Sequence, residues 1–523
     1  MLKVPSLYDF PPLSGDDRAT GGFIGGELVF SERRNFLEET QPYFKFIRSC
    51  PEVNVTPEIL ATRESARTIG AADLFLSVED SAFKKIASTW REKGVVEAVR
   101  IAAGEDPERV SRIVHWLAMR ITKILDFIEK KTSSYEGLPS IGSGSVSDIA
   151  GTRDWTTALI RCLAWHPHCT RLALACRDDR IRIYSSEIQG VAVLRHSAQK
   201  SVCSMSWRPN AGRELAAACG SGVLVWSVEL GAASNSLSHA LFLRQRNHAP
   251  VTSVNWHPQG DLLVSCSPND FNMIVWDVAK EVGVPLRRVG GGGLCFSKWS
   301  ICGSKLLAAT CGNVFRVWNT GAGNPWSVER WTVPNGRVAA ACFGPHQILL
   351  FASTEDPPTL FSLPLQDNIF NVQGDSPAND PKAAVPLIDL TKVSFDDDGA
   401  GVTVGGRVVA TEWDPSGQYL AILFQDSPVV AVFKTEIGTL FGLTEVTPSC
   451  LVKGFPGESP NCLQFQQNIN TNGLIACLTI AWSSGRVQQF PIVGGNKSAT
   501  PTRTPPPLDR SISSSDYNHY TFL

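Results

Sequence analysis

No stretch of about 18 uninterrupted apolar residues occurs, so nothing reads as a membrane-spanning helix, and membrane contact is expected only through a partner. Met1 to Asp17, with its prolines and acids, lacks the apolar core of a secretory signal. An excess of charge of either sign is also missing. Lys and Arg number 48 against 50 Asp and Glu, for a net charge of −2, which argues against direct nucleic-acid binding. None of the 14 cysteines forms a C-x-x-C pair. Most sit in apolar strand-like runs (Cys162, Cys176, Cys203, Cys219, Cys266, Cys311, Cys342, Cys477), as reduced core thiols of a cytosolic or nuclear protein do. The sequons at Asn54 and Asn496 then read as chance matches.

Signatures of catalysis are absent too. There is no G-x-x-x-x-G-K-[ST], no H-E-x-x-H and no G-x-S-x-G, and no cofactor is implied. The run Gly290-Gly291-Gly292-Gly293 leads into an apolar strand rather than a helix, so it reads as a flexible loop and not a dinucleotide cradle. His166-Pro167-His168 lacks further ligands at metal-binding spacing.

What is present is a repeat. An apolar-x-aromatic triplet is followed by a Pro- or Gly-bearing turn, an apolar strand, and a strand ending in an aromatic. Its aromatics are Trp165, Trp207, Trp256, Trp299, Phe343, Trp413 and Phe465, separated by 42, 49, 43, 44, 70 and 52 residues. The period expected of a WD repeat is about 40–45. The long interval marks an insertion. Runs such as Leu172-Ala173-Leu174-Ala175-Cys176 and Leu215-Ala216-Ala217-Ala218-Cys219 are small and apolar on both faces, as strands packed between neighbouring blades must be. The fold class is therefore all-β: a seven-bladed WD40-type β-propeller with an N-terminal α-helical segment and a disordered C-terminal tail.

One repeat carries His248, Ser265, Asp270 and Trp276-Asp277. A Ser/His/Asp set raises the thought of a hydrolase. The spacing and the terminal Trp fit instead the hydrogen-bonded network that ties loop, strand and turn together in a WD repeat, where buried polar groups satisfy one another. Catalytic, cofactor and metal residues are accordingly expected to be none.

Five regions follow. Residues 1–75 read as an extended N-terminal region and 76–131 as a helical segment. In the latter, Asp106-Pro107-Glu108 starts a helix whose Val110, Ile113, Val114, Leu117, Ile121, Ile124, Leu125 and Ile128 recur at helical spacing. A shorter helix is expected over Ser81 to Lys93. Residues 132–149 form a Ser/Gly-rich linker, 150–493 the propeller with an acidic insertion at 364–400 expected to be a mobile loop, and 494–523 the disordered tail. Asp148 to Thr157 is the candidate for the strand that closes the ring.

The ordered set Leu163-Ala164-Trp165-His166-Pro167-His168, Pro250-Val251-Thr252-Ser253, the glycine run with Trp299-Ser300 and Phe315-Arg316-Val317-Trp318, Trp413-Asp414-Pro415-Ser416-Gly417 and Trp482-Ser483-Ser484-Gly485-Arg486 resembles the Aladin family of WD-repeat nucleoporins. That resemblance covers about residues 150 to 493. It implies a non-enzymatic scaffold of the nuclear pore complex, held at the nuclear envelope by a transmembrane nucleoporin beside other pore components. Nucleocytoplasmic transport and spindle assembly are the roles it implies. A ubiquitin-ligase substrate receptor is the alternative, and no adaptor motif in the helical segment supports it. A propeller hydrolase would need acids and histidines recurring at equivalent loops, and none recur.

Overall fold

The computed structural model describes residues 5–11, 13, 18–32, 53–60, 99, 102–103, 115–123 and 144–494, less the loop stretches 186–190, 229–238, 288–291, 322–324, 335, 366–383, 398–399, 439–441 and 469–473. Each repeat unit forms one antiparallel sheet, with strands following chain order from the ring axis outward. The first blade is Ile160–Trp165, Arg171–Cys176, Ile181–Ser185 and Ala192–Leu194. Blades 2 to 6 begin at Ser204–Trp207, Ser253–Trp256, Leu294–Trp299, Val338–Phe343 and Val408–Trp413, and blade 7 at Pro460–Phe465.

The two-sided apolar strands explain where the core sits. Every interface between neighbouring blades holds its own cluster of buried side chains, and the series runs round the whole ring. Between blades 1 and 2, for example, Ala164, Ala173 and Ala175 meet Trp207, Leu215 and Trp226. Small residues on one side accept indoles from the other, the complementarity that close packing requires. Irregular pairing recurs at the start of the innermost strands of blades 1, 4, 5, 6 and 7, where a bulge adds twist at the axis.

The ring is not closed by Asp148 to Thr157. Ala19–Ile24 runs parallel to Arg486–Val493, the last strand of blade 7, pairing Phe23 with Ile492 and Ile24 with Val493. Farther along the same edge, Val53 and Asn54 pair antiparallel with Val487 and Arg486. Ala19–Ile24 also turns back through Gly25 and Gly26, at φ +62° and +95°, into Glu27–Ser31. Positive φ at both turn positions is what a tight hairpin needs, and glycine supplies it without strain.

The described stretches 5–11, 18–32 and 53–60 thus act as a belt on the outer rim. Pro5 O accepts the Asp389 N–H (3.0 Å), and Leu7 and Phe10 are buried in the cluster between blades 5 and 6. Thr20 Oγ1 donates to Lys453 O of blade 6, and Lys453 N–H donates back to it, both at 3.0 Å. Val53, Val55 and Leu60 pack into the cluster that joins blade 7 to blade 1.

Two further expectations change. The insertion at 364–400 is not simply a mobile loop: it contains Val385–Asp389, the outermost strand of blade 5, and most of a hairpin, Val393–Asp397 with Ala400–Val404. The 132–149 linker includes a helix, Gly144–Ile149. Of the expected long helix, residues 115–123 are described and are helical. The shorter helix over Ser81 to Lys93 and the tail beyond Gly494 lie outside the described residues.

Candidate functional site

The seven repeat aromatics sit at the ends of the innermost strands, where each blade turns into its first hairpin. Their polar atoms join blades. The Trp165 indole N–H donates to Thr479 Oγ1 of blade 7 (2.8 Å), and that of Trp207 donates to Ala164 O of blade 1 (3.0 Å). Trp413 instead donates to Thr435 Oγ1 in its own blade (3.0 Å). Trp256 lies under the Arg208 guanidinium at 5.0 Å, and His257 meets Trp299 edge-on at 4.7 Å. Phe343 and Phe465 occupy the same place without a donor. Gly344 follows Phe343 because a Cβ there would lie 2.2 Å from the Trp413 ring.

Side chains in the hairpins stitch this turn face across successive blades. Asn468 donates to His168 O (2.6 Å), Arg171 to Gly212 O, Arg208 to Gly260 O (2.5 Å), and Gln347 to Ser304 Oγ (3.0 Å). His166 belongs to this scaffold rather than to a metal site. Its Nδ1 accepts the backbone N–H groups of His168 (3.0 Å) and Cys169 (2.9 Å), and burial with nearby Arg171 lowers its pKa to about 4. Among the described residues, no three His, Cys, Asp or Glu side chains are placed to hold a metal ion.

His248, Ser265, Asp270 and Trp276 meet in blade 3. His248 Nδ1 is 2.8 Å from Asp270 Oδ2, His248 Nε2 is 2.8 Å from Ser265 Oγ, and the Trp276 indole donates to the same Oγ at 2.8 Å. Ser265 is 0% exposed. Its oxygen is held from two sides with no path for a substrate, so the set ties the loop before the blade to its second and third strands. Burial alone would raise the Asp270 pKa; hydrogen bonds from His248 and Asn272 outweigh it and hold the carboxyl low.

Other blades solve the same problem with different residues, which the repeat pattern did not reveal. In blade 2, Gln199 takes the histidine's place and accepts the Trp226 indole N–H at 2.9 Å. In blade 7, Glu458 binds Arg486 at 2.6 Å, Arg486 donates to Gln488 Oε1 (3.0 Å), and Trp482 donates to that oxygen too (3.0 Å). Gln488 then donates to Thr20 O, so this network reaches the closing strand. A charged residue before one blade and another 28 positions on was the available signal.

A cavity of about 770 Å³ follows the ring axis. Its walls carry Ser204, Ser206, Asn255, Ser297, Thr411 and Gln464. Lys298 Nζ reaches Glu412 Oε1 (3.1 Å) as a strut that passes the small Ala339, Ala340 and Ala341 of the intervening blade. Attraction to Glu412 raises the Lys298 pKa. At the turn face the mouth is bordered by Pro167, Pro209, Pro258 and Ile301.

The opposite mouth is occupied by the segment from Val146 to Thr157, which spans the expected linker and the expected ring-closing strand. Thr152 Oγ1 donates to Arg161 O of blade 1, and Ala150 and Trp155 pack on Cys203 before blade 2. Arg337 donates to Asp148 O from blade 5, and Arg153 donates to Ser427 O of blade 6 and, through its N–H, to Asn461 O of blade 7. The segment is therefore a plug that ties five blades together. Trp155, beneath the Arg161 guanidinium at 4.4 Å, anchors it.

The family match agrees with this architecture. The Aladin seven-bladed propeller family matches residues 141–493. Aladin of Arabidopsis thaliana is 26% identical over 364 residues, which span 63% of this chain and 75% of that protein. The Retinoblastoma-binding protein 5 homolog of Drosophila melanogaster is 28% identical over 143 residues, 27% of each chain. Among solved structures, the Cps50 (Swd1) β-propeller domain of Myceliophteria thermophila is similar at 17% identity and a TM-score of 0.44, covering 64% of this chain and 98% of that one. With seven blades in the structure and a family match over more than half its length, the chain belongs to the Aladin seven-bladed propeller family.

Proposed function

We propose that this protein is a non-enzymatic scaffold of the nuclear pore complex, recruited to the nuclear envelope by a transmembrane nucleoporin and supporting nucleocytoplasmic transport. Membership of the Aladin family carries this reading. The site geometry supports it from a second direction. Among the described residues, the Ser/His/Asp set of blade 3 is buried and fully engaged, and the axial cavity holds a paired Lys298 and Glu412 rather than an array of convergent acids or bases. A propeller so cross-tied offers rigid faces, which lowers the ordering cost of binding. A spindle role in mitosis rests on the family resemblance alone. Partner binding falls to the turn face and the blade edges, since the plug holds the other mouth in cis.

A fluorescent fusion expressed from the native locus tests the proposal. Signal concentrated at the nuclear rim supports it, and diffuse cytosolic signal overturns it.

A further inference from the structure

The chain has 14 cysteines, and most of those described are isolated in the blades. Burial pushes the thiols of Cys203, Cys342, Cys450, Cys462 and Cys477 up to about 12, which keeps them protonated and unreactive. Blade 4 is different. There Cys295 Sγ lies 3.2 Å from Cys311 Sγ.

The bulge at the start of Leu294–Trp299 creates this approach. Leu294 pairs with Thr310 and Phe296 with Ala309, so Cys295 has no partner of its own across the strand pair. It sits beside the residue that follows the neighbouring strand Lys305–Thr310, Cys311, whose N–H donates to Gly293 O (2.9 Å). Both backbones are therefore fixed: Cys295 O also accepts from Thr252 Oγ1 of blade 3 at 2.7 Å. Cys295 is 0% exposed, whereas Cys311 is half-buried. The Arg337 guanidinium acts electrostatically on Cys295.

We propose that Cys295 and Cys311 form a reversible dithiol–disulfide site that takes a hydroperoxide as its oxidant. The reachable thiolate of Cys311 attacks the peroxide. The S–O bond forms, the O–O bond breaks and, for hydrogen peroxide, the departing hydroxide takes up the proton that Cys311 gave to solvent on forming the thiolate and leaves as water, giving a sulfenic acid at Cys311. Cys295 sulfur then attacks Cys311 sulfur. The S–S bond forms, the S–O bond breaks, and the departing hydroxide takes the Cys295 proton to leave as a second water. Two thiols lose two electrons in all, and the peroxide gains them. A separation of 3.2 Å leaves the sulfurs about 1.2 Å from a bond of about 2.0 Å, a change within reach of side-chain rotation. The product would fasten the two inner strands of blade 4 at the plugged end of the axis.

Exposed Cys302 supplies an internal control. Burial raises its pKa, but hydrogen bonds from Ser304 and Ser300 outweigh this and lower it. The purified full chain is treated with hydrogen peroxide, alkylated and digested with trypsin. Cleavage after Arg288, Lys298, Lys305 and Arg316 separates Val289–Lys298 from Leu306–Arg316. The proposal predicts these two peptides joined by a disulfide, loss of two free thiols on their account, and recovery of both with dithiothreitol. Cys295→Ser should leave Cys311 as a sulfenic acid that dimedone captures. Oxidised Cys302 beside fully alkylated Cys295 and Cys311 in the peroxide-treated wild-type chain overturns the proposal. So does a link from Cys295 to Cys266.

Discussion

Replacing Phe10 by alanine should destabilise the whole propeller although the residue lies roughly 150 positions ahead of the first blade. Phe10 is 5% exposed and packs edge-on against Phe433 of blade 6, with ring centroids 4.9 Å apart. Around it lie Leu7, Leu390 and Ile388, so its truncation opens a cavity between blades 5 and 6. Such truncations cost about 3–5 kcal/mol. The edge-to-face pair, about 0.5–1.5 kcal/mol beyond area burial, pushes the value toward the upper end. Against a total stability of about 5–15 kcal/mol the loss is large. Urea denaturation followed by tryptophan fluorescence reports it, since the indoles are distributed round the ring. Tyr8→Ala is the control: Tyr8 is 72% exposed, and its loss should stay within about 0.5 kcal/mol. Equal stability of wild type and Phe10→Ala would show that residues 5–10 do not belong to the folded ring.

Two more predictions concern the buried networks. Trp276→Ala should cost about 3–5 kcal/mol through lost burial, and Trp276→Phe about 1–3 kcal/mol through an unmatched hydrogen-bond site at Ser265; thermal melting of both variants, with the alanine change no worse than the phenylalanine one, would contradict the blade assignment. Glu458→Gln should cost about 3–5 kcal/mol by stranding the buried Arg486. Burial would raise the Glu458 pKa, yet the Arg486 hydrogen bond and charge hold it below its ordinary value. A depressed folded pKa gives stability that is present above the unfolded value of about 4.3 and lost as pH falls through the folded one. Wild type should accordingly lose stability more steeply than Glu458→Gln below about pH 4, and parallel acid profiles would refute the assignment.

Much of the ring was legible because its determinants are local and repeated. Each aromatic, turn proline and two-sided apolar strand recurs at a fixed offset, and the long interval after Phe343 marked the insertion. The network around His248 was readable for the same reason, since blade 3 keeps the standard residues. Where blades substitute Gln199 or Glu458 with Arg486, the geometry survives while the sequence pattern is lost. Closure was misplaced for another reason. A closing strand pairs with a partner more than four hundred residues away, and adjacency to the first blade favoured Asp148 to Thr157. Gly25-Gly26 between Ala19–Ile24 and Glu27–Ser31 was the overlooked hairpin signal. The plug left little trace because it is held chiefly by backbone oxygens, at Asp148, Arg161, Ser427 and Asn461, to which side-chain identity contributes nothing. Four glycines suggested flexibility, but Gly293 packs so closely on Pro268 that a Cβ would collide with its carbonyl.

The proposed role as a pore scaffold is tested most directly by proximity labelling. A promiscuous biotin ligase is fused to the intact protein at its native level, and labelled proteins are quantified against a freely diffusing ligase. Enrichment of nuclear-pore components, with an integral membrane nucleoporin among the strongest, is the predicted result. Enrichment of ubiquitin-ligase adaptor and cullin subunits without pore components would contradict it.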